Sequence, residues 1–241
     1  MMIHDNPAER LLKILQDGKN ENVNAPCRAV WARLLNVEIT DHALMMSRMG
    51  KVMELPNQII SELKEKFPNQ SNTYEHWSKQ LSHAFLLQNI NDKWDTFIKH
   101  IDNHSIAYLQ LSANLLQSKS IISLIEKEKL NEIREKIDNL YKEIIETDLD
   151  EKVKEFLLRA MQKILVSVDE YNISGSIPIM DSIDMVFGHM VVNDEFRNEM
   201  NKTPITKTLF ERLSDVANIV TVSQGLTELS SYVKQLLLGE S

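Results

Sequence analysis

Four of the seven histidines in this 241-residue chain form two spaced pairs, and either pair could bind a metal ion. His100 and His104 are four residues apart, the spacing that puts two imidazoles on one helix face. His76 and His83 lie two helical turns apart. No glutamate follows His100 in the order found in zinc proteases. We therefore favour surface or capping roles for all four and keep a metal site as the alternative.

Cys27 is the only cysteine, so the chain cannot form an internal disulfide. It falls in the predicted first turn of a helix beside Arg28, where the helix dipole and the cation would both favour a thiolate. No histidine lies in an adjacent motif to complete a nucleophile pair. A partly buried structural cysteine is the reading we prefer.

Other catalytic patterns are incomplete. Ser61 and Lys64 match the S-x-x-K core of a serine nucleophile motif, but its companion motifs are absent. Asp181, Asp184 and His189 could form an acidic cluster, although their spacing puts them on only partly overlapping helix faces. The chain contains no P-loop, G-x-G-x-x-G, H-E-x-x-H or C-x-x-C motif. We expect no cofactor.

Methionines recur on two predicted helices and form a candidate partner-binding surface. Because methionine is flexible and polarizable, a methionine-rich face can adapt to a partner. Packing in the core is the favoured alternative for these side chains. The candidate residues are Met45, Met49, Met53, Met180, Met185 and Met190.

The net charge of the chain argues against general binding to nucleic acid. A net charge of −8 opposes a general electrostatic hold on phosphates. The segment 25–52 is locally basic, with Arg28, Arg33, Arg48 and Lys51, and weakly indicates a helix-turn-helix. Its turn lacks a glycine, so nucleic-acid binding is a third candidate behind the other two functions.

Composition indicates the fold class. With 43% hydrophobic and 26% charged residues the chain is typical of a soluble globular protein. Six glycines and six prolines are too few for the many tight turns of an all-β fold, so we predict an all-α protein. The longest charge-free runs, 103–118 and 216–227, are too short or too polar to span a bilayer. No signal peptide is visible, and we expect a cytoplasmic location.

The stretch from Ser105 to Tyr171 predicts the centre of the fold. Apolar residues repeat there at helical spacing, and Asp148 with Glu151 resembles a capping box that begins a second helix. We predict a long antiparallel αα-hairpin over 129–146 and 150–172, with a multi-helix bundle built around it. The seam of its first helix is Leu130, Ile133, Ile137, Leu140 and Ile144.

Capping residues and prolines predict the remaining elements. Asn6 and Pro7 begin the first helix, Asp41 or Thr40 caps the third, and Pro56 begins a fourth. We expect an N-terminal lobe over 1–101 and a C-terminal bundle over 102–241, with a break in the helix between 118 and 129. Gly175 is placed to adopt positive φ.

The run Tyr171-Asn172-Ile173-Ser174-Gly175 joins two amphipathic helices. It resembles a pattern in uncharacterised bacterial all-helical proteins. The resemblance covers about residues 121–190 and implies a bacterial cytoplasmic protein with no known activity. Its further implication is a place in a defence or toxin-control locus, and no functional residue is carried over.

Long amphipathic helices without a catalytic constellation favour a non-enzymatic protein-protein interaction module with a regulatory or scaffold role. Self-association through the apolar stripe of the last helix is one form of this hypothesis. The alternatives are a metal-dependent hydrolase or nuclease that uses His100 or His104, and a helical nucleic-acid binder.

Overall fold

The computed structural model describes residues 5–119 and 124–223, apart from the side chains of residues 71 and 72. Twelve α-helices account for most of these residues, and the described ranges contain no β-strand. The all-α class predicted from composition is confirmed. No helix in the described ranges is long and apolar enough to cross a membrane.

The chain divides into two compact units between residues 120 and 121. The expected boundary at 101/102 precedes the helix 103–117, whereas the compact units divide after it. That helix packs against helices of the N-terminal unit, which explains its place there.

The N-terminal unit contains six α-helices and a 3-10 segment, Pro68–Thr73. The helices are α1 (Pro7–Asn20), α2 (Cys27–Leu34), α3 (His42–Lys66), α4 (Glu75–Leu87), α5 (Asp95–Ile98) and α6 (Asn103–Gln117). α6 packs against α1, α4 and α3 through its buried side. Asn6 and Asp41 cap α1 and α3 as predicted, since each side chain accepts a backbone N–H of the first turn.

Pro56 does not begin a helix, and that prediction was wrong. α3 is 25 residues long and contains Pro56 in its interior. Proline costs a helix one backbone hydrogen bond, but Val52, Leu55 and Ile59 on either side of it are fully buried, so tertiary packing holds the helix together.

Gly18 of α1 lies directly against the side chain of Trp94. The indole Nε1–H of Trp94 donates to the Gly18 carbonyl at 2.7 Å. Trp94 also packs in an aromatic cluster with Trp31 and Phe97, with ring centroids 5.0–5.2 Å apart. This cluster is the centre of the N-terminal core.

The described part of the C-terminal unit contains six further helices. They are α7 (Lys127–Glu146), α8 (Glu151–Asp169), α9 (Tyr171–Ser174), α10 (Ile177–Val192), α11 (Asp194–Met200) and α12 (Ile205–Ser223). α6 ends at Gln117 and α7 begins at Lys127, so they are separate helices. Gly175 has a φ of 73°, a positive value as the sequence predicts.

Cross-helix contacts define the arrangement of α7 and α8. Arg134, early in α7, pairs with Asp169 at the end of α8, while Tyr141 accepts from Gln162 nearer the turn. The two helices therefore run in opposite directions. The cap of α8 is Asp150 rather than Asp148, because the Asp150 carboxylate accepts the backbone N–H groups of the first turn.

The last helix uses its apolar stripe inside its own unit. Leu209, Leu213, Val216 and Val220 are all fully buried in the C-terminal core. This part of the stripe is therefore not free for self-association. The remainder of the stripe, from Leu226 to Leu236, lies outside the described residues.

Candidate functional site

The structure brings together the four histidines singled out by spacing, but in crossed pairs. His83 of α4 contacts His100, with ring centroids 5.0 Å apart and planes at 80°. His76 of α4 contacts His104 of α6 at 6.3 Å and 87°. His100 lies beyond the end of α5, just before α6 begins. Neither sequence-spaced pair is therefore the pair whose rings meet.

Asp102 lies between this row of four histidines, His76, His83, His100 and His104, and the start of α6. Its carboxylate accepts the Ser105 backbone N–H at 2.6 Å as the helix cap and lies 3.0 Å from Nε2 of His76. Desolvation of the carboxylate opposes its ionisation, but these hydrogen bonds outweigh it and lower the pKa of Asp102 to about 2. The carboxylate is thus ionised at neutral pH and fixes both the helix end and the imidazole of His76.

The outward side of α6 continues from this row as one apolar stripe, here named the α6 face. Tyr108 is 43% exposed and Leu111 is 42% exposed, and the Tyr108 ring lies 6.0 Å from that of His76. Each member has another member three or four residues away along the helix, so they share one side of it. The α6 face consists of His104, Ala107, Tyr108, Leu111 and half-buried Leu115.

α6 carries no Asp, Glu, Lys or Arg in its 15 residues. In a chain with 26% charged residues, a segment of that length would carry about four (0.26 × 15). Exposed helix faces ordinarily carry charged residues opposite their buried stripe. An uncharged, partly apolar outer face on this helix is therefore a departure from the pattern seen in the rest of the chain.

Cys27 is buried, and its environment opposes nucleophilic chemistry. Desolvation raises the pKa of its thiol to about 11, despite hydrogen bonding with Thr96 and Trp31 and the nearby charge of Arg28. The side chain is 0% exposed. This agrees with the structural role preferred above.

The basic residues of 25–52 are mostly engaged within the N-terminal unit. Arg48 is only 4% exposed and donates to the carbonyls of Leu35 and Asn36 at 2.9 and 2.7 Å. Arg33 forms an ion pair with Glu21 at 2.5 Å. Arg28 donates to the Asn91 side chain and lies 2.8 Å from Nδ1 of His42, and Lys51 also has a partner. A helix-turn-helix would need such cations free to contact DNA.

The candidate methionines do not form one surface. Met45, Met49, Met180 and Met190 are buried in the cores of their units. Met185 is half-buried against the C-terminal core, and only Met53, at 48%, is well exposed. Contact of the four buried side chains with a partner would require the fold to open.

The remaining catalytic candidates lie on α3 and on α10. Ser61 and Lys64 are both exposed on α3. Desolvation and the neighbouring Asp181 charge raise the pKa of Asp184, but His189 stacks instead on Phe156 at 4.2 Å.

His189 lines a cleft of about 460 Å³ between α8, α10 and α11. The cleft has mixed charges, with Asp150, Glu195 and Lys152 on its walls. The Asp150 carboxylate already accepts the backbone N–H of Lys152 as the cap of α8. No group of three or more His, Cys, Asp or Glu side chains suited to a metal occurs in the described ranges.

The α6 face was missed at the level of sequence, although a signal for it existed. The charge-free run 103–118 is too short or too polar to span a bilayer, but it indicates a helix whose outer side carries no charge. Its helical spacing would have placed Tyr108 and Leu111 on one side. What the sequence could not show is which side α1, α3 and α4 cover.

Comparison with protein-family models, with curated proteins and with solved structures gives no match. The resemblance of the run Tyr171–Gly175 to bacterial helical proteins therefore stays an expectation.

Proposed function

We propose that this chain is a non-enzymatic protein-protein interaction module, and that the α6 face is its binding surface. The observation that carries the proposal is an exposed tyrosine and leucine on a helix without a charged residue. We further propose a regulatory or scaffold role in the cytoplasm of a bacterium, in line with the sequence resemblance. Defence or toxin control is one such setting.

The chemistry of the α6 face is that of an interface core. Such cores are depleted in Lys, Glu and Asp and enriched in aromatic side chains, and tyrosine is frequent among the residues that carry most of the binding energy. About two-fifths of Tyr108 and of Leu111 remains exposed. Covering that surface would contribute roughly 1 kcal/mol per residue, from the 1.5–3 kcal/mol of a fully buried apolar side chain.

A second copy of the chain is the first partner to test. With a net charge of −8, two copies repel each other through most of their surfaces. The α6 face avoids that cost because α6 carries no Asp, Glu, Lys or Arg side chain. The same property admits other acidic proteins.

The experiment compares the wild-type chain with a Tyr108→Lys/Leu111→Lys variant. Light scattering over a concentration series measures self-association, and affinity purification from cells of the native host measures other partners. We expect the variant to weaken the association at least tenfold, since each substitution places a charge where apolar surface would be buried.

Leu86→Lys is the matched control. Leu86 is 79% exposed on α4 and lies ten residues, or about 15 Å, along that helix from His76. It adds one lysine, against two in the double variant, at another apolar surface position. If Leu86→Lys and the double variant weaken association equally, charge alone explains the loss and the α6 face is not the binding surface.

A further inference from the structure

The contact between His83 and His100 carries an inference of its own, independent of the α6 face. We propose that these two imidazoles form a binding site for a divalent transition-metal ion of the Zn²⁺, Ni²⁺ and Cu²⁺ class. The site joins α4 to the segment that follows α5, two parts of the N-terminal unit that are 17 residues apart in sequence.

The ring separation suits two ligands of one ion. A metal bound at about 2.0–2.1 Å from an imidazole nitrogen lies about 3.2 Å from the ring centroid. Two rings with centroids 5.0 Å apart then subtend an angle of about 100° at the ion, between the 90° of octahedral and the 109° of tetrahedral coordination. The near-perpendicular planes keep the two rings from clashing.

The other histidine pair fails the same test. The rings of His76 and His104 have centroids 6.3 Å apart and would subtend about 160° at a shared ion. Neighbouring ligands do not make so wide an angle in octahedral or tetrahedral coordination. Nε2 of His76 is also already used by Asp102 at 3.0 Å. His104 is therefore a suitable control position within the same row.

Both imidazoles of the proposed site are available. Within the described ranges, neither ring of His83 and His100 makes a hydrogen bond, and His83 is exposed while His100 is half-buried.

Two ligands define an open site. Asp95 and Lys99, two charged residues close to His100 in the sequence, pair with each other at 3.3 Å. Water would complete the coordination of the ion. An all-imidazole site suits borderline ions in the order Cu²⁺ above Ni²⁺ and Zn²⁺, whereas Mg²⁺ and Ca²⁺ prefer oxygen ligands.

The test is a calorimetric titration of the full chain, stripped of metal by chelator, with Ni²⁺ and separately with Zn²⁺ at pH 7.5. The variants are His83→Gln and His100→Gln, with His104→Gln as the control and circular dichroism to verify folding. We expect one site per chain that weakens at least tenfold in either of the first two variants and less than twofold in the control.

A structural readout accompanies the titration. Because the ion would tie two segments together only in the folded state, Zn²⁺ should raise the urea midpoint of tryptophan fluorescence in the wild type and not in His83→Gln. Unchanged affinity in both His83→Gln and His100→Gln, or an equal loss in His104→Gln, would overturn the site. Tighter binding of Mg²⁺ than of Ni²⁺ would do the same.

Discussion

Gly18→Ala reverses the usual effect of replacing a helical glycine, and it therefore tests the packing of the N-terminal core. Alanine in a helix interior is ordinarily favoured over glycine by about 0.8–1.0 kcal/mol. A Cβ atom at Gly18, however, would lie 2.9 Å from Cζ2 of Trp94. Leu34 and Ile98 lie 3.5 and 3.7 Å from the same point and leave little room to move aside.

The expected loss of stability follows from the contact between the new Cβ atom and the Trp94 ring. Carbon atoms pack at about 3.5–4.0 Å, so the Trp94 ring must move by roughly 0.6 Å or more. Overpacking of this kind costs about 1–3 kcal/mol, and displacement of the indole weakens its hydrogen bond to the Gly18 carbonyl, worth about 0.5–1.5 kcal/mol. After the gain in helix propensity, we expect Gly18→Ala to lower the free energy of unfolding by about 1–2 kcal/mol.

Gly50→Ala is the matched control. Gly50 lies inside α3, and no atom comes within 4 Å of a Cβ built there. The propensity gain then acts alone, and the variant should be more stable by about 0.8–1.0 kcal/mol. The two substitutions are chemically identical and are expected to have opposite signs.

Urea unfolding followed by tryptophan fluorescence is the appropriate assay. All three tryptophans, Trp31, Trp77 and Trp94, are buried in the N-terminal unit, so the signal reports on that unit. With a urea slope of about 1–3 kcal/mol/M, Gly18→Ala should lower the midpoint by roughly 0.3–2 M. A higher midpoint for Gly18→Ala, equal to that for Gly50→Ala, would refute the close contact with Trp94.

Three further predictions concern buried or capping groups. Arg48→Met removes the donor to the Leu35 and Asn36 carbonyls and should lower the free energy of unfolding by about 2–3 kcal/mol in the same assay; a loss below 0.5 kcal/mol would contradict its buried role. The Cys27 thiol, with its pKa raised to about 11, should react with a disulfide reagent at pH 8 at least a hundredfold more slowly in the folded chain than in urea; comparable rates would show that it is accessible. Folding lowers the pKa of Asp102 to about 2, so its stabilising contribution is present above about pH 4 and is lost as the pH falls toward 2. Asp102→Asn should therefore flatten the plot of unfolding free energy against pH in this range. An unchanged plot would contradict the prediction.

Local chemistry made several elements predictable. The caps Asn6 and Asp41 are legible because a short polar side chain before an apolar stripe satisfies free N–H groups. The seam residues Ile133, Ile137 and Leu140 are fully buried because helical spacing alone puts them on one side. These features depend on neighbours in sequence.

Features that depend on neighbours in space were not predictable. The local sequence around Pro56 predicts the start of a helix. The apolar residues on either side of it are buried in a core that α3 shares with other helices, so the helix continues through the proline. His83 and His100 meet because α4 packs beside the α5–α6 corner, a fact that no spacing within one helix contains. Met45 and Met49 look like a surface stripe until the covering helices are known.

The most direct test of the proposed binding surface is photo-crosslinking at Ala107, an exposed member of the α6 face. A photoreactive amino acid replaces Ala107, or Leu86 as the control, and the cells of the native host are irradiated. We predict a discrete protein adduct from position 107 that is absent from position 86, with a mass of two chains if the partner is a second copy. No adduct from position 107, or the same adducts from both positions, would contradict it.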